Sequence, residues 1–595
     1  MKKGFLSSDW FAGLAISLII IALGNWGTFD SIERSAYDLG VRSSSKTPSN
    51  KIAVIAIDDI SIANLGRWPW PRDYHAEMHR ILKEGGAKVI GQTTFYIEPQ
   101  IDPGLKHIQN LMAFYANSSL STDFSPFRNN LPRKLGKLER DLGKLGEQLL
   151  EAELQLNTDQ VLAQSLQEAA NVVLAMHFTI GTPIGKPDIE IPDYVKRNLL
   201  QSISNNTLTN PLGYRPLPAM DALFPIPEIG VFADSIGILS AYPDPDGGIR
   251  SEPLVIDYFD QFYPSMSLVL AARSLNLKPS DIKVNLGEGV ELGNLKIRTD
   301  SFLQMNTFFY HSGTNASAFQ VDSFYDVLKG KIPASKYNGK IVLIGATATG
   351  VGDTMVTPID SNMAPVLTLA HSVSSILNED FFIEPEWSEQ AILGISAFLA
   401  LYIILILPRM NAGVSATMTI LFLGALFAVH YVLMTKHSMW LQLMMPAILL
   451  VVGHALLTTK RYLMTEKGKL QLDAESAESN RMLGLSLQGQ GQLDMAFEKF
   501  RRLPATKEAM ELLYNLALDY ERKRQFNKAG SVYAFIHEKD SKFRDVKQRL
   551  KRAQAMEETV ILGGSSSSKS NASLVLETGG VQKPMLGRYQ VEKEL

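Results

Sequence analysis

Four apolar stretches constrain this chain more than any other feature, because each is close to the length that crosses a bilayer. They lie at residues 11–29, 388–408, 412–434 and 439–459. The first stretch follows Lys2 and Lys3, and no A-x-A cleavage site comes after it. We therefore expect a retained transmembrane helix there, and the alternative is a signal peptide.

Basic residues orient these predicted spans, because lysine and arginine concentrate in the cytoplasmic loops of membrane proteins. The lysines before the first span place residues 1–10 in the cytoplasm, and Arg409 does the same for the loop between the second and third spans. Lys460 and Arg461 close the fourth span on the inside, whereas Lys436 lies in an outer loop and counts against this orientation. The pattern predicts that both termini are cytoplasmic and that residues 30–387 lie outside.

Composition excludes several classes of protein. The 595 residues carry a formal net charge of −3, and no basic stretch with interleaved aromatic side chains indicates nucleic-acid binding. The chain has no cysteine, which excludes disulfides, thiolate metal sites and cysteine nucleophiles. Its length exceeds one ordinary domain, so we expect several domains. From the charge pattern we expect no nucleic-acid partner.

Residues 51–99 predict a β-α-β unit. The run IAVIAI is β-branched and apolar, as is typical of a buried strand, and a turn containing GRWPWP follows it. Residues 72–83 then alternate at helical spacing up to Gly85-Gly86, and residues 88–95 form a second apolar run. This order predicts parallel strands and a right-handed crossover. Further strands are predicted at residues 171–178, 253–258 and 340–347.

The segments between these strands differ in character. Residues 107–130 and 183–227 show no sustained period and predict surface loops. Residues 131–156 instead carry a heptad seam, which consists of Leu131, Leu135, Leu138, Leu142, Leu145, Leu149, Ala152 and Leu156. Three glycines within it weaken the helix. Two interpretations stay open, namely a helix that covers its own sheet and an intersubunit helix that makes a homodimer.

Three blocks of sequence resemble type-2 CHASE domains, which are extracytoplasmic sensor modules of bacterial membrane signalling proteins. The blocks are IAIDDIS with LGRWPWPR, then PDPDGGIR, then KIVLIGATA with a later Thr357-Pro358. The resemblance implies an α/β sensor domain over residues 30–387, with residues 131–156 as an insertion, in a bacterial inner membrane. Two departures, at Gly91-Gln92-Thr93 and near residues 306–310, imply that a ligand depending on those positions is absent.

Candidate ligand-binding side chains follow from these blocks, for an unknown extracytoplasmic ligand and with a metal left open. Asp58 and Asp59 follow a buried parallel strand, where ligand crevices form, and such a pair can bind a cation or an amine. Alternatively Asp59 or Ser61 caps the next turn. The full set of candidates is Asp58, Asp59, Ser61, Trp68, Trp70, Arg72, Asp244, Asp246, Thr347, Asp353 and His371.

Each remaining candidate also has a plain structural alternative. The two tryptophans form either an aromatic ligand wall or a rigid packed loop. Asp244 and Asp246 form either a turn or a second carboxylate group that faces the first. Thr347 begins either an anion-binding loop or an ordinary turn, and His371 lies where the sensor family often has a histidine or asparagine in an apolar setting.

The C-terminal part predicts a helical segment. After a juxtamembrane helix at residues 460–478, Leu485, Leu493, Ala496 and Phe500 recur 33 residues later as Leu518, Phe526, Ala529 and Tyr533. These units resemble tetratricopeptide repeats, which predicts an all-α TPR-like segment at residues 479–556 with a possible protein partner. The alternative is a generic helical connector.

The last part of the sequence predicts a linker and a domain start. Residues 557–585 are rich in glycine and serine and predict a flexible linker. Residues 586–595, LGRYQVEKEL, resemble the first strand of bacterial serine/threonine protein kinase domains. The resemblance implies that ATP and magnesium are bound by a kinase domain that would follow.

No complete catalytic motif occurs in the chain. It has no P-loop, H-E-x-x-H, G-x-S-x-G elbow, kinase glycine-rich loop, H-R-D or D-F-G sequence. We therefore expect no catalytic residue and no cofactor in this chain. The predicted architecture is an α/β extracytoplasmic sensor domain, four transmembrane helices and an all-α TPR-like cytoplasmic segment.

The function expected from these patterns is a membrane receptor that senses an extracytoplasmic cue and regulates a serine/threonine protein kinase domain. Two alternatives stay open. One is a non-enzymatic receptor that recruits a partner through the TPR-like segment, and the other is the sensor of a cyclase.

Overall fold

A computed structural model describes residues 8–100, 102–121, 133–185, 190–207, 210–311, 317–562, 585–586 and 589–590. The chain divides into two units, Met1–Thr458 and Thr459–Leu595, and each is described by itself. Leu131, the core of the predicted linker and most of the kinase-like tail lie outside the described residues.

The helices of the first unit alternate with its strands along the chain. They are α1 Asp9–Asn25, α2 Asp30–Ser43, α3 Asp59–Leu65, α4 Arg72–Glu84, α5 Pro103–Asn117, α6 Arg133–Leu156, α7 Thr158–Ala169, α8 Asp193–Lys196, α9 Pro227–Gly230, α10 Met266–Ser274, α11 Phe324–Leu328, α12 Pro365–Asn378, α13 Ser388–Leu401, α14 Ala412–Val432 and α15 Met444–Gly489. Helix α15 begins in the first unit and ends in the second.

The strands of the first unit have four residues or fewer in all but four cases. They are β1 Ile52–Ile57, β2 Val89–Gln92, β3 Val172–Ile180, β4 Ser202–Ser204, β5 Leu217–Leu223, β6 Ser235–Ile238, β7 Ser251–Pro253, β8 Val255–Tyr258, β9 Gln261–Pro264, β10 Lys283–Asn285, β11 Gly289–Leu292, β12 Leu295–Arg298, β13 Gln304–Thr307, β14 Gln320–Ser323, β15 Ile341–Ala346 and β16 Phe381–Phe382.

A parallel sheet forms the centre of the first unit. Its parallel strands follow the order β14-β1-β15-β2-β3-β6, and β5, β8 and β9 extend it from the far half of β3. All six residues of β1 are buried, as expected for a strand covered on both faces. The predicted strands at residues 52–57 and 88–95 are confirmed as parallel neighbours of one inserted strand, β15.

Alternate residues of β1 enter two separate cores. Ala53, Ile55 and Ile57 pack with side chains of α4, α7 and α11, which include Leu82, Leu166 and Phe324. Ile52 and Val54 pack on the other face with α10, α12 and α2. The period of two along the strand therefore produces the three layers of an α/β domain.

Two smaller sheets cover one end of this domain. One has the order β12-β11-β10-β4 and the other β16-β13-β7. Their apolar faces share a third core, in which Leu254, Val284 and Met305 are buried. The strand β7 lies between this core and the parallel sheet, so it carries side chains into the space between them.

Two loop predictions were wrong in part. Residues 107–130 begin inside α5, which starts at Pro103 after its cap Asp102 and places no residue in the core. Its apolar side chains do recur at helical spacing and are half-buried, namely Leu105, Ile108, Met112 and Tyr115. The serines and asparagines that follow favoured the loop prediction. Residues 183–227 contain α8, β4 and β5, of which β5 pairs with the end of β3.

Three described helices are long and apolar enough to cross a membrane: Ser388–Arg409, Ala412–His437 and Met444–Gly489. The first two continue α13 and α14 through π-helical turns. Helices α1 and α2 meet at a bend of 71° and count as a fourth span only if the bent pair is taken together. The prediction of four spans therefore stays a prediction.

The predicted span at residues 439–459 begins later than expected. Ser438 adopts a left-handed conformation with φ of 51°, and α15 starts only at Met444. The intervening segment is held in extended form, because the Trp440 N–H donates to the carbonyl of Ile383 at 2.9 Å and the Ile383 N–H donates to that of Ser438 at 2.9 Å.

The second unit contains α16 Leu493–Phe500, α17 Lys507–Arg522, α18 Phe526–Lys539 and α19 Val546–Leu562, with short strands β17 Met585–Leu586 and β18 Tyr589–Gln590. The repeated small residues Ala496 and Ala529 are both fully buried, as are Phe500 and Tyr533. The helical prediction is confirmed, and the TPR-like assignment stays a prediction.

Candidate functional site

The carboxylate at the end of β1 caps a helix. The Oδ1 atom of Asp58 accepts hydrogen bonds from the Ser61 N–H at 2.8 Å and the Ser61 hydroxyl at 2.5 Å. The Ser323 hydroxyl at the end of β14 donates to the same oxygen at 2.9 Å. Ser61 is buried, and its hydroxyl also accepts the Tyr325 N–H at 3.0 Å. Asp58 and Ser61 therefore join three elements, and Asp59 beside them is exposed.

The tryptophans of the following loop pack against the domain. Their ring centroids lie 5.1 Å apart, and the buried Trp70 also lies 5.1 Å from the Phe324 ring. The Trp70 indole N–H donates to the carbonyl of Gly66 at 2.8 Å. Trp68 keeps some exposure and borders a cavity of about 420 Å³ that is lined with aromatic side chains. The loop is thus packed on one side and forms a wall on the other.

Arg72 is committed to contacts within the protein. Its guanidinium donates to the Asp159 carboxylate and to the carbonyl of Glu98, and it lies 5.2 Å from the centre of the Tyr96 ring. The side chain is buried. These contacts tie α4 to α7 and to the chain after β2, so Arg72 positions the wall of the cavity.

The PDPDGGIR block builds a charged cluster on Arg250. Its guanidinium donates two hydrogen bonds of 2.8 Å to Asp38 of α2, one of 2.7 Å to Asp244, and two of 2.9 and 3.0 Å to Asp246. All five N–H groups of the arginine are therefore used. Arg34 of α2 also donates to Asp246 at 3.2 Å. We call Arg34, Asp38, Asp244, Asp246 and Arg250 the arginine cluster.

Electrostatics hold the arginine cluster in its charged form. The hydrogen bonds from Arg250, with smaller help from the Gly248 N–H and from Arg34, lower the pKa of Asp246 to about 2. Burial alone would lower the pKa of Arg250, but hydrogen bonds to Asp38, Asp246 and Asp244 raise it above its usual value. Charge-assisted bidentate contacts of this kind are among the strongest in proteins.

The two predicted carboxylate pairs have separate partners. Asp58 is held by Ser61 and Ser323, whereas Asp244 and Asp246 are held by Arg250. The interpretation that the second pair faces the first has no contact that supports it in the described part of the chain. That part also contains no group of three or more histidine, aspartate or glutamate side chains arranged to hold a metal ion.

The remaining candidates lie in different surroundings. The Thr347 N–H donates to the carbonyl of Ile57 at 3.1 Å, so it continues the β1–β15 pairing, and Asp353 is exposed. His371 of α12 is buried, its Nδ1 accepts the Tyr310 N–H at 3.0 Å, and its ring stacks on that of Tyr310 at 5.8 Å. Burial lowers the pKa of His371 to about 3, so the imidazole is neutral.

A second cavity was not predicted from the sequence. It is centred on Glu252 of β7 and has a volume of about 70 Å³. The hydroxyls of Ser265 and Ser267 at the start of α10 and those of Thr368 and Ser372 on α12 lie near it. Its only sequence signal is a lone glutamate before the apolar strand β8, which is too weak to distinguish it from a surface residue.

The cavity adjoins the arginine cluster along the chain. Ile249 and Ser251 line the cavity, and Arg250 between them points to the cluster. Arg250 thus connects the candidates Asp244 and Asp246, which it binds, to the cavity that its two chain neighbours line. The tryptophan loop and Asp58 belong to a different part of the sheet edge, in the core around α4 and α11.

The comparison with known families covers the same region. The model of the CHASE2 domain matches residues 14–407, from within α1 to the turn after α13. No curated protein and no solved structure matches the chain. An extracytoplasmic sensor domain together with candidate membrane-spanning helices indicates a membrane protein. Because the match spans more than half of the sequence, the chain belongs to the CHASE2 family of extracytoplasmic sensor domains.

Proposed function

We propose that this protein is a multi-pass receptor whose CHASE2 domain controls a cytoplasmic serine/threonine protein kinase domain. The observation that carries the proposal is the arginine cluster, which joins a sensor loop to α2, the helix that follows α1. A cue that moves the loop of Arg250 would act on α2 through three charge-assisted hydrogen bonds, two from Arg250 to Asp38 and one from Arg34 to Asp246.

Helix α2 also contacts the segments next to the apolar helices. The Tyr37 ring lies 4.9 Å from that of Trp440, and Glu33 accepts the Met444 N–H at the start of α15 at 2.9 Å. His430 of α14 contacts the carbonyl of Ala36 at 3.2 Å. A shift of α2 would therefore reach α1, α14 and α15 together. A ligand biases such a shift only by binding one arrangement more tightly than the other.

Contacts of the loop between α14 and α15 support an outside position for it. Trp440 and Ser438 in this loop pair with Ile383 of the sensor domain. If the sensor is outside, this loop is outside as well, in spite of Lys436. The orientation that we propose therefore has both termini in the cytoplasm of a bacterial cell and the sensor in the periplasm.

The kinase output rests on the resemblance of residues 586–595 to the first strand of such domains. The chain contains no glycine-rich phosphate loop, H-R-D or D-F-G motif, so ATP and magnesium would be bound by that following domain. A homodimer, in which paired kinase domains phosphorylate each other, completes the proposal.

The experiment uses the complete reading frame in lipid vesicles. The gene is sequenced beyond the codon for Leu595, and serine/threonine phosphorylation is measured with ATP and Mg²⁺. We expect Arg250→Ala to change the phosphorylation rate several-fold, because it leaves Asp38, Asp244 and Asp246 without their shared partner. Arg215→Ala is the matched control, since Arg215 is half-exposed, forms ion pairs with Asp257 and Asp260 and lies over the Phe262 ring.

Two results would contradict the proposal. One is a complete reading frame that has no kinase motifs, and the other is equal phosphorylation by the wild type and the Arg250→Ala variant. The first result would favour a receptor that recruits a partner. The specific observation behind this second candidate is the buried helical repeat around Ala496 and Ala529. A cyclase would reveal itself by a cyclic nucleotide product in the same vesicles.

A further inference from the structure

The cavity at Glu252 contains one carboxylate and no basic partner. The Ser267 hydroxyl donates to Glu252 Oε1, and Ser372 and Ser265 also donate to the carboxylate. Among the described residues no lysine, arginine or histidine pairs with it. Burial raises the pKa of Glu252, although the serine hydroxyls act in the opposite direction. A partly buried carboxylate of this kind is stabilised in its charged form when a cation binds beside it.

One hydroxyl in the cavity lacks a hydrogen-bond partner. Thr368 and Ser372 stand one turn apart on α12, and both line the cavity. Ser372 shares its hydroxyl with Thr307 at 3.4 Å, whereas the buried Oγ1 of Thr368 has no hydrogen-bond partner among the described residues. The site thus offers a hydroxyl to a ligand in addition to the carboxylate.

Most of the remaining wall is apolar, and the space is small. Its apolar side chains include Ile238, Leu239, Pro253, Met355 and Leu369, and polar groups of Ser240, Tyr242, Ser251 and Thr307 also line it. The volume of about 70 Å³ compares with the 10–15 Å³ or so that one water molecule needs on this measure, so the cavity fits roughly four to six non-hydrogen atoms. A metal ion would meet one carboxylate and weak hydroxyl donors, which is a poor ligand set for a divalent cation.

We propose that this cavity binds a small primary ammonium compound, with its cation on Glu252, its short carbon chain on the apolar wall and a terminal hydroxyl on Thr368. The inference rests on the proposed sensing function and names the class of its ligand. The geometry also supplies the link to signalling, because Ile249 and Ser251 touch the ligand space while Arg250 holds Asp38 of α2.

Titration calorimetry on the full chain in detergent micelles tests the site directly. The probes are ethanolamine and propylammonium, which have the same number of non-hydrogen atoms, and the neutral control is 1-propanol. Ligands of this size bind no tighter than tens of micromolar, so the titration extends to about 10 mM. We expect both ammonium compounds to bind and 1-propanol to give no signal.

Two variants separate the contacts. Glu252→Gln keeps the shape and the hydrogen bond to Ser267, and we expect it to lose about tenfold or more of the affinity for both amines. Glu288→Gln, at an exposed position of the same domain, should bind as the wild type does. Thr368→Val should weaken ethanolamine several-fold and leave propylammonium unchanged. The Thr368→Val variant still tests the site if Glu252→Gln does not fold.

The proposal is overturned if neither amine binds to the wild type. Equal binding by the wild type and Glu252→Gln would also overturn it. Calorimetry needs no output domain, so failure of the ammonium site leaves the phosphorylation test intact. Conversely, binding without any kinase would separate the ligand from the proposed output.

Discussion

At the scale of the residue, burial decides which side chains keep their ordinary chemistry. His75, His79 and His371 lie within the sensor domain with almost no exposure, and burial lowers the pKa of each, to about 3, 4 and 3 respectively. His371 was a candidate ligand, but its Nδ1 accepts the Tyr310 N–H and its ring is enclosed by aromatic rings. Its structural role is to close the core beside α12.

These histidines predict a pH dependence of stability. The unfolded chain binds a proton at each one below about pH 6.5, whereas the folded chain does not until pH 3 to 4. The contribution of these histidines to the free energy of unfolding is thus fully present above pH 6.5. Below pH 6.5 the free energy of unfolding decreases as the pH falls, by at most about 1.4 kcal/mol per pH unit for each histidine. We expect the melting temperature to fall between pH 7 and pH 5.

A variant isolates the contribution of one histidine. His371→Asn should reduce the drop in melting temperature between pH 7 and pH 5, whatever it does to stability at pH 7. His107→Asn, at an exposed position, is the control and should leave the drop unchanged. An equal drop in wild type and His371→Asn would show that this histidine is not held neutral.

At the scale of the element, polar side chains at the ends of strands fix helices to the sheet. Asp58 caps α3 and at the same time accepts the Ser323 hydroxyl, so one carboxylate joins β1, β14 and α3. Ser265 caps α10 in the same way by accepting the Leu268 N–H, and a serine directly before a helical run is a local sequence pattern that favours such a cap. The prediction of a cap after β1 on Asp59 or Ser61 was wrong, because Asp58 is the cap and accepts the Ser61 N–H.

The two aspartates after β1 make a matched pair for a test. Asp58→Ala should lower the free energy of unfolding by about 1–2 kcal/mol, because it removes a helix cap and the acceptor that the Ser61 and Ser323 hydroxyls share. Asp59→Ala changes an exposed side chain and should have an effect within about 0.5 kcal/mol. Chemical denaturation of both variants measures this difference. If Asp59→Ala is the more damaging change, the capping assignment is wrong.

The heptad helix α6 packs on α5 and still exposes leucines. The Tyr115 hydroxyl of α5 donates to the carbonyl of Leu142 at 2.8 Å, which fixes one side of α6. Leu138 and Leu145 on the predicted seam remain 50% and 41% exposed. The packing on α5 gives α6 a partner within the chain, but that partner is a helix and not the sheet, and the exposed leucines keep the intersubunit interpretation open. The dimer stays a prediction.

Aspartate substitutions decide between these interpretations. If the seam joins two subunits, Leu138→Asp with Leu145→Asp should convert a dimer into a monomer, because two charges would enter an apolar interface. The control is Lys137→Asp with Lys144→Asp at exposed neighbouring positions. Light scattering after size-exclusion chromatography in detergent gives the mass. A dimer that survives the leucine substitutions would exclude the intersubunit role.

At the scale of the whole molecule, the apolar helices and the sensor share helix α2. The sensor reaches it through the arginine cluster, and the ends of α14 and α15 reach it through His430 and Met444. Helix α2 therefore has contacts both with the sensor residues next to the cavity and with the apolar helices. The CHASE2 match includes α2, since it covers residues 14–407.

The absence of cysteine in this chain permits a direct test of the membrane orientation. Single variants Ser361→Cys and Lys436→Cys should react with a membrane-impermeant maleimide in intact spheroplasts. Asn411→Cys and Glu508→Cys should react only after permeabilisation, and all four positions are exposed. Labelling of Lys436→Cys only after permeabilisation would contradict the proposed outside position of its loop.

The sequence alone determined the elements whose signal is local. The buried strand β1, the helix α4, the Ser265 cap of α10 and three apolar helices follow from hydropathy and spacing, because neighbouring residues decide them. Tertiary structure decided which charges meet: Arg250 finds Asp38 at a separation of 212 residues, and Glu252 reaches serines of two helices. Side chains so far apart in the sequence meet only when the helices and strands pack, and no local sequence pattern predicts such contacts.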